Sequence, residues 1–214
     1  MRGLMVQQRL LDIAVDAFGK HGLEGASTRE IAAAAGTAMS SITYHYGGKE
    51  GLYLAAADHI SSRMAEGMSS ALLVEVAEGD AVGARQAVHG MLDALFDKMM
   101  AQQTESWSLF IVREQMRPTA AFARLFDGPM GQMMRKLIRL ICLATGMDDD
   151  EDARITGLML FGQVLVLRSA RASALRLFEI ETIGDALAQR IRARIHANTN
   201  AILDALTAEA KETR

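Results

Sequence analysis

The chain is poor in cysteine, proline and aromatic residues: it has one cysteine, two prolines and 5% aromatics among 214 residues. A lone thiol, Cys142, excludes an internal disulfide and a multi-cysteine zinc site. It lies in the apolar run of residues 137–143 and reads as a packing residue rather than a nucleophile. Scarce proline and few β-branched or aromatic residues, beside abundant Ala, Leu and Met, favour helix over sheet. Long hydrophobic runs are also missing. The strongest, residues 158–167, is interrupted by Gly162 and Gln163 and is too short to span a bilayer. The first twelve residues hold no apolar region of signal-peptide length. A cytoplasmic location with no membrane partner is the expectation.

Positive charge is lacking too. The net charge is −3, and the first 60 residues carry five basic side chains against six acidic ones. A broad basic surface for nucleic acid is therefore excluded, so any DNA contact has to come from a few placed groups. Enzyme signatures are absent: there is no His-Glu-x-x-His, no phosphate-cradling glycine loop and no Gly-x-Ser-x-Gly. The five histidines (His21, His45, His59, His89, His196) are scattered and suggest no metal constellation. The acidic run 148–152 lacks the central glycine and distant glutamate of a calcium loop. It reads instead as a helix start, with Asp148 as N-cap and Glu151 in the first turn. No catalytic residue, cofactor or metal is expected.

What the chain does have is helical periodicity and a core's worth of apolar residues, 50% of the total. In residues 7–21, Leu10, Ile13, Ala14, Ala17 and Phe18 recur at helical steps, and Gly22 marks the end of that helix. Ser27 and Glu30 form a capping box that opens a second short helix. Ile31 and Ala35 face inward, Ala32 is small where two helices approach, and Gly36 makes the turn. A third helix starts near Ala38 and is anchored by Ile42. Residues 27–46 thus read as a helix-turn-helix whose second helix faces a DNA major groove. The same spacing also fits an ordinary αα-hairpin with a glycine bend.

Residues 36–53, GTAMSSITYHYGGKEGLY, are similar without gaps to the signature of the TetR/AcrR family of bacterial regulators: Gly36, Ile42, His45, Tyr46, Lys49, Glu50 and Leu52 occupy its positions. Upstream, AFGKHGLEGASTREIA resembles the family's first two helices, so the likeness covers residues 10–54. It departs where relatives often carry a tyrosine and this chain has Thr43, followed by Tyr44, and at Met39, often polar elsewhere.

The resemblance implies roles residue by residue. Ser27 and Thr28 open the second helix, where free N–H groups suit a phosphate. Arg29 reaches a base edge or the backbone. Met39, Ser40, Ser41 and Tyr44 are the base-reading candidates, Met39 toward a thymine methyl. Thr43, His45 and Lys49 match phosphate-contacting positions. The plainer alternatives are a cap for Ser27, core for Tyr46 and a solvated first-turn lysine for Lys49.

The helix from Lys49 to about residue 67 would join a DNA-binding domain, residues 1–58, to a ligand-binding and dimerisation domain, residues 59–214. Further helices are expected over residues 82–101 and 106–116, the latter stopped by Pro118. Another is expected to open at Gly128-Pro129, with Pro at a helix start. Residues 110–122, FIVREQMRPTAAF, are similar to a segment of the TetR subgroup with a CecR-type C-terminal domain.

The helix over residues 153–171 is apolar nearly all round, and one over residues 182–208 repeats aliphatics at four-residue steps. Such helices bury two faces, and the family resemblance implies a four-helix homodimer interface. Ile155, Leu158, Leu165, Ile191, Ile195 and Ile202 are its candidates. Fourteen methionines fit an adaptable apolar cavity. Candidates to line it are Phe96, Met99, Trp107, Phe110, Phe126, Met130 and Met134, with Arg113, Glu114 and Gln163 as polar groups.

The fold class expected is all-α, with a three-helix head on a helical bundle. The function expected is a repressor that binds a palindromic double-stranded operator as a dimer and is released by a small apolar or amphipathic inducer. The rival reading is an all-α carrier or enzyme, which has no need of the 27–49 constellation.

Overall fold

The computed structural model describes residues 2–101 and 105–212. Among them there are helices and turns but no strand. In chain order the helices are α1 (Arg2–Gly25), α2 (Thr28–Ala35), α3 (Met39–Tyr46), α4 (Lys49–Leu72), α5 (Ala81–Met100) and α6 (Glu105–Met116). After α7 (Ala120–Leu125) and a π turn (Phe126–Met130) come α8 (Gly131–Thr145), α9 (Glu151–Ser169), α10 (Arg171–Leu177) and α11 (Asp185–Glu212).

The chain divides into two compact units, residues 1–67 with 102–132 and residues 68–101 with 133–214. This division differs from the expected boundary near Asp58 in two ways. It falls roughly two and a half turns further along α4, and it returns α6 and α7 to the N-terminal unit. The reason is packing: α6 runs against α1, the most extensive helix pair of that unit. A periodicity argument cannot see such a long-range contact.

In the first unit, Leu10, Phe18, Ile31, Ile42, Leu52 and Phe110 are buried in one core. Phe18 meets the Tyr53 ring edge-on at 4.9 Å, and Phe110 stacks on it at 4.7 Å. α1 breaks at Gly22, as its position after the apolar stripe predicts. Ser27 caps α2 by accepting from the Glu30 N–H at 3.4 Å, one half of the expected capping box. Gly36 closes α2 in the left-handed region (φ 69°, ψ 32°), where L side chains are strained. The turn to α3 depends on it.

Two expectations about this unit's C-terminal part change. Pro129 lies inside the π turn rather than at a helix start, because Gly128 leaves helical geometry (ψ −141°) just before it. The short α7 was not anticipated. It is capped by Thr119, which accepts from the Ala121 N–H at 3.1 Å.

The second unit has its own core, including Leu92, Phe96, Leu137, Ile141, Leu160 and Leu203. Along its α5–α11 seam runs a polar ladder. Arg85, His89, Asp93 and Asp97 are spaced four apart on α5, and Asp204, Asn200, His196 and Arg192 answer them antiparallel on α11. Asp93 accepts from Arg192 at 2.8 Å and from His196 at 2.9 Å. The Arg192 guanidinium also lies over the Phe96 ring, 4.4 Å from its centroid. α9 is capped by Asp150, which accepts from the Ala153 N–H at 3.1 Å, and not by Asp148. α10 was not foreseen; it is a seven-residue helix between the two longer ones.

Candidate nucleic-acid interface

The α2–α3 pair is short, eight residues each, and is held by few contacts that α3 itself supplies. Ile42 is the buried side chain of α3, anchoring it to the core. On the exposed side stand Met39, Ser40, Thr43 and Tyr44, spaced so that they share one face. Tyr44 is 85% exposed and Met39 51%. Ile42, with Tyr46 packed beside it, holds the opposite side of the helix to the core, which leaves Met39 and Tyr44 open on the outer face. Ser41 is half-buried and less accessible than its neighbours, while His45 is exposed, its ring edge-on to Tyr44 at 4.9 Å.

At the start of α2, Thr28 and Ser27 are half-buried, and Arg29 is exposed. The Ser27 oxygen is engaged as the cap, which leaves its hydroxyl proton to give away. Lys49 is half-buried, and its Nζ donates to the Glu24 carbonyl at 2.8 Å. It therefore ties the first turn of α4 to the end of α1. Two of its three protons stay available to an anion. Tyr46 packs against the core, and its hydroxyl is buried without a hydrogen-bond partner. A residue that the sequence reading missed is Arg9, whose Nη2 donates to the Ala34 carbonyl at 3.5 Å near the end of α2.

The ten residues proposed to line a ligand cavity are divided between the two units. In the first unit, Phe110 and Met130 are core. Arg113 donates to the Gly19 and Lys20 carbonyls at 3.4 and 3.0 Å. Glu114 is 1% exposed and accepts from the Tyr53 hydroxyl at 2.6 Å and from the Thr119 N–H at 2.9 Å. Trp107 is half-buried under the Arg63 guanidinium, and Phe126 is an exposed ring stacked on Phe122 at 5.7 Å. Arg113, Glu114 and Phe110 thus serve internal packing.

In the second unit, Phe96 is core, Met99 and Met134 are half-buried, and Gln163 donates to Thr199 Oγ1 at 3.0 Å. Two open clefts of about 710 Å³ each flank residues 146–148 in this unit and include none of those four. Cys142 lines one of them. Burial, followed by Asp149 and Asp150, pushes its thiol above the ordinary range.

The interface candidates also separate. Ile155 and Leu158 are 50% and 54% exposed on α9, beside the exposed Met159 and Val166, which were not singled out. Leu165, Ile191 and Ile202 are half-buried. Ile195 is 5% exposed and belongs to the unit's own core, because its turn of α11 faces inward.

Two family descriptions match this chain. Residues 10–56 match that of bacterial regulatory proteins of the tetR family. Residues 84–206 match that of the C-terminal domain of the HTH-type transcriptional dual regulator CecR. Among curated proteins, the dual regulator CecR of Shigella flexneri is 30% identical over 181 residues, covering 82% of this chain and 81% of that protein. The HTH-type transcriptional repressor AcnR of Corynebacterium glutamicum is 42% identical over 73 residues, 34% of this chain and 39% of that protein. The solved TetR-like regulator from Rhodococcus sp. RHA1 superposes with a TM-score of 0.63 at 21% identity, over 92% of this chain and 96% of that one. The fatty acid degradation regulator FadR from Bacillus halodurans does so with a TM-score of 0.58 at 15% identity, over 88% and 96%. At those identities the structures speak for the fold alone. The chain belongs to the TetR family of transcriptional regulators, in the group with a CecR-type C-terminal domain. Its α2–α3 pair lies within the matched tetR segment and forms the helix-turn-helix of that family.

Proposed function

We propose that this protein is a ligand-responsive regulator that binds a palindromic operator as a homodimer in the cytoplasm and represses until a small apolar or amphipathic inducer releases it. The observation that carries the reading is the exposed face of α3, where Met39, Ser40, Thr43 and Tyr44 stand out opposite the buried Ile42. Hydroxyls accept from or donate to any base edge, and a methionine packs on a thymine methyl. Thr28, Arg29, His45 and the spare protons of Lys49 supply the phosphate contacts that fix register.

Two-fold symmetry would come from α9, whose exposed Ile155 and Leu158 need cover that a second copy supplies. The heads would then meet half-sites about one helical turn, roughly 34 Å, or more apart. An inducer would bind the second unit, with Met99, Met134 and Gln163 its remaining candidates, and would shift the dimer only by its differential affinity for two head spacings. Of the relatives, AcnR is named a repressor and CecR a dual regulator. Repression is the simpler action for a protein that occludes DNA, and it is the one proposed here.

The test is Tyr44→Ala with Arg29→Ala, both exposed positions. Loss of operator binding with small-molecule binding retained is the expected result. Unchanged DNA affinity in the double variant would show that α3 does not read DNA.

A further inference from the structure

On α6, two consecutive charged residues reach two different helices of the head. Successive positions on a helix point about 100° apart, so neighbours in sequence serve different partners. Arg113 lies across Gly22, where a Cβ would sit 3.1 Å from its Nη1, and its Nη2 donates to the Gly19 and Lys20 carbonyls. These are carbonyls of the last turn before α1 breaks, the end that attracts a cation. Glu114 points the other way, into the core, where the Tyr53 hydroxyl of α4 donates to it. The turn after α6 closes the group, since both the Thr119 N–H and the Thr119 hydroxyl donate to the same carboxyl.

A buried carboxyl is costly unless its oxygens are used, and here three donors engage both of them. Such a group is poorly placed to add stability, because a packed apolar side chain would do as well. What it adds is geometry: it permits one arrangement of α4, α6 and the 117–119 turn. Tyr53 remains a donor throughout, since burial and then Glu114 push its phenol well above the ordinary value.

We infer that Arg113 and Glu114 are positioning residues for DNA recognition, a bracket by which α6 holds α1 and α4 at the spacing that presents the α2–α3 reader. α1 leads into the cap of α2, and α4 follows α3 after Gly47 and Gly48, so the bracket grips the reader at both of its ends. The inference rests on the DNA-binding reading above.

Its test uses a duplex that the wild-type protein itself selects from a random-sequence pool. Affinity and thermal unfolding are measured for Tyr53→Phe, Glu114→Gln, the two combined, and Arg113→Met. Each single variant is expected to bind roughly tenfold more weakly while unfolding within a few degrees of wild type. The combined variant should be no worse than the weaker single, because both changes act on the same Tyr53–Glu114 contact. Wild-type affinity in Glu114→Gln, losses that simply add, or losses that follow a fall in unfolding temperature would each overturn the bracket. Should the wild-type protein select no duplex, the DNA-binding reading fails, and amide exchange decides the bracket separately. Faster exchange over residues 39–46 in the variants, with residues 81–100 unchanged, supports it, and equal exchange over 39–46 overturns it.

Discussion

Tyr44 is the residue on which most of the recognition energy would fall. It is 85% exposed, so its ring makes little of the fold, and its removal tests contact rather than packing. Tyr44→Ala should leave the melting temperature within a degree or two and weaken operator binding by about 1–3 kcal/mol, the range of one good base contact. Titration of a labelled operator fragment reads this directly. Asp16 makes a second prediction at this scale. Burial raises its pKa, but hydrogen bonds from Lys20 at 2.7 Å and Ser106 at 2.9 Å outweigh that, and the carboxyl ends below its ordinary value. A depressed folded-state value means stability that is present above the unfolded carboxylate range and lost as pH falls through the folded value. Denaturant midpoints of Asp16→Asn should therefore fall less on acidification than those of the wild type. The size is small, since both partners of the ion pair are about half exposed.

At the scale of elements, two glycines separate strain from crowding. Gly36 has positive φ and nothing within 4 Å of a Cβ, so Gly36→Ala costs only the left-handed backbone, about 1–2 kcal/mol. Gly36→Asn should recover part of it. Gly19 sits where α1 meets α6, and a Cβ there would lie 2.8 Å from the Ser106 carbonyl. Gly19→Ala should cost more than Gly36→Ala in thermal melts, and Asn offers no rescue. These two positions also divide what was legible in the sequence. The cap at Ser27, the turn at Gly36 and the anchor at Ile42 are local signals, and each is found where it was read. The packing of α6 on α1 leaves no periodic mark, which is why Arg113 and Glu114 looked like pocket polar groups. The α5–α11 ladder did leave one, polar side chains four apart on both helices, which a pattern of apolar residues does not register. Of the three aspartates in 148–150, only the structure picks out Asp150 as the cap, since each satisfies the same rule.

For the whole molecule, a two-fold-symmetric operator calls for two heads and hence two copies. The apolar side chains that α9 leaves exposed, Ile155, Leu158, Met159 and Val166, are the surface that a second copy would cover. Leu158→Glu should convert a dimer to a monomer in sedimentation, with each unit still folded, while Ile195→Glu should unfold the second unit, because Ile195 is core. A wild-type monomer, or a Leu158→Glu dimer, would remove the symmetric reading of the operator. Charge enters at the same scale. With a net charge of −3 and a head in which acids outnumber bases six to five, binding should weaken with salt by a shallow slope, reflecting few phosphates neutralised per subunit. The central claim is that the exposed face of α3 reads a two-fold-symmetric DNA sequence. Footprinting of the purified protein on the DNA beside its own coding region measures it most directly. The account predicts protection of an inverted repeat, lost with Tyr44→Ala; the absence of any sequence-selective protection by folded, dimeric protein would contradict it.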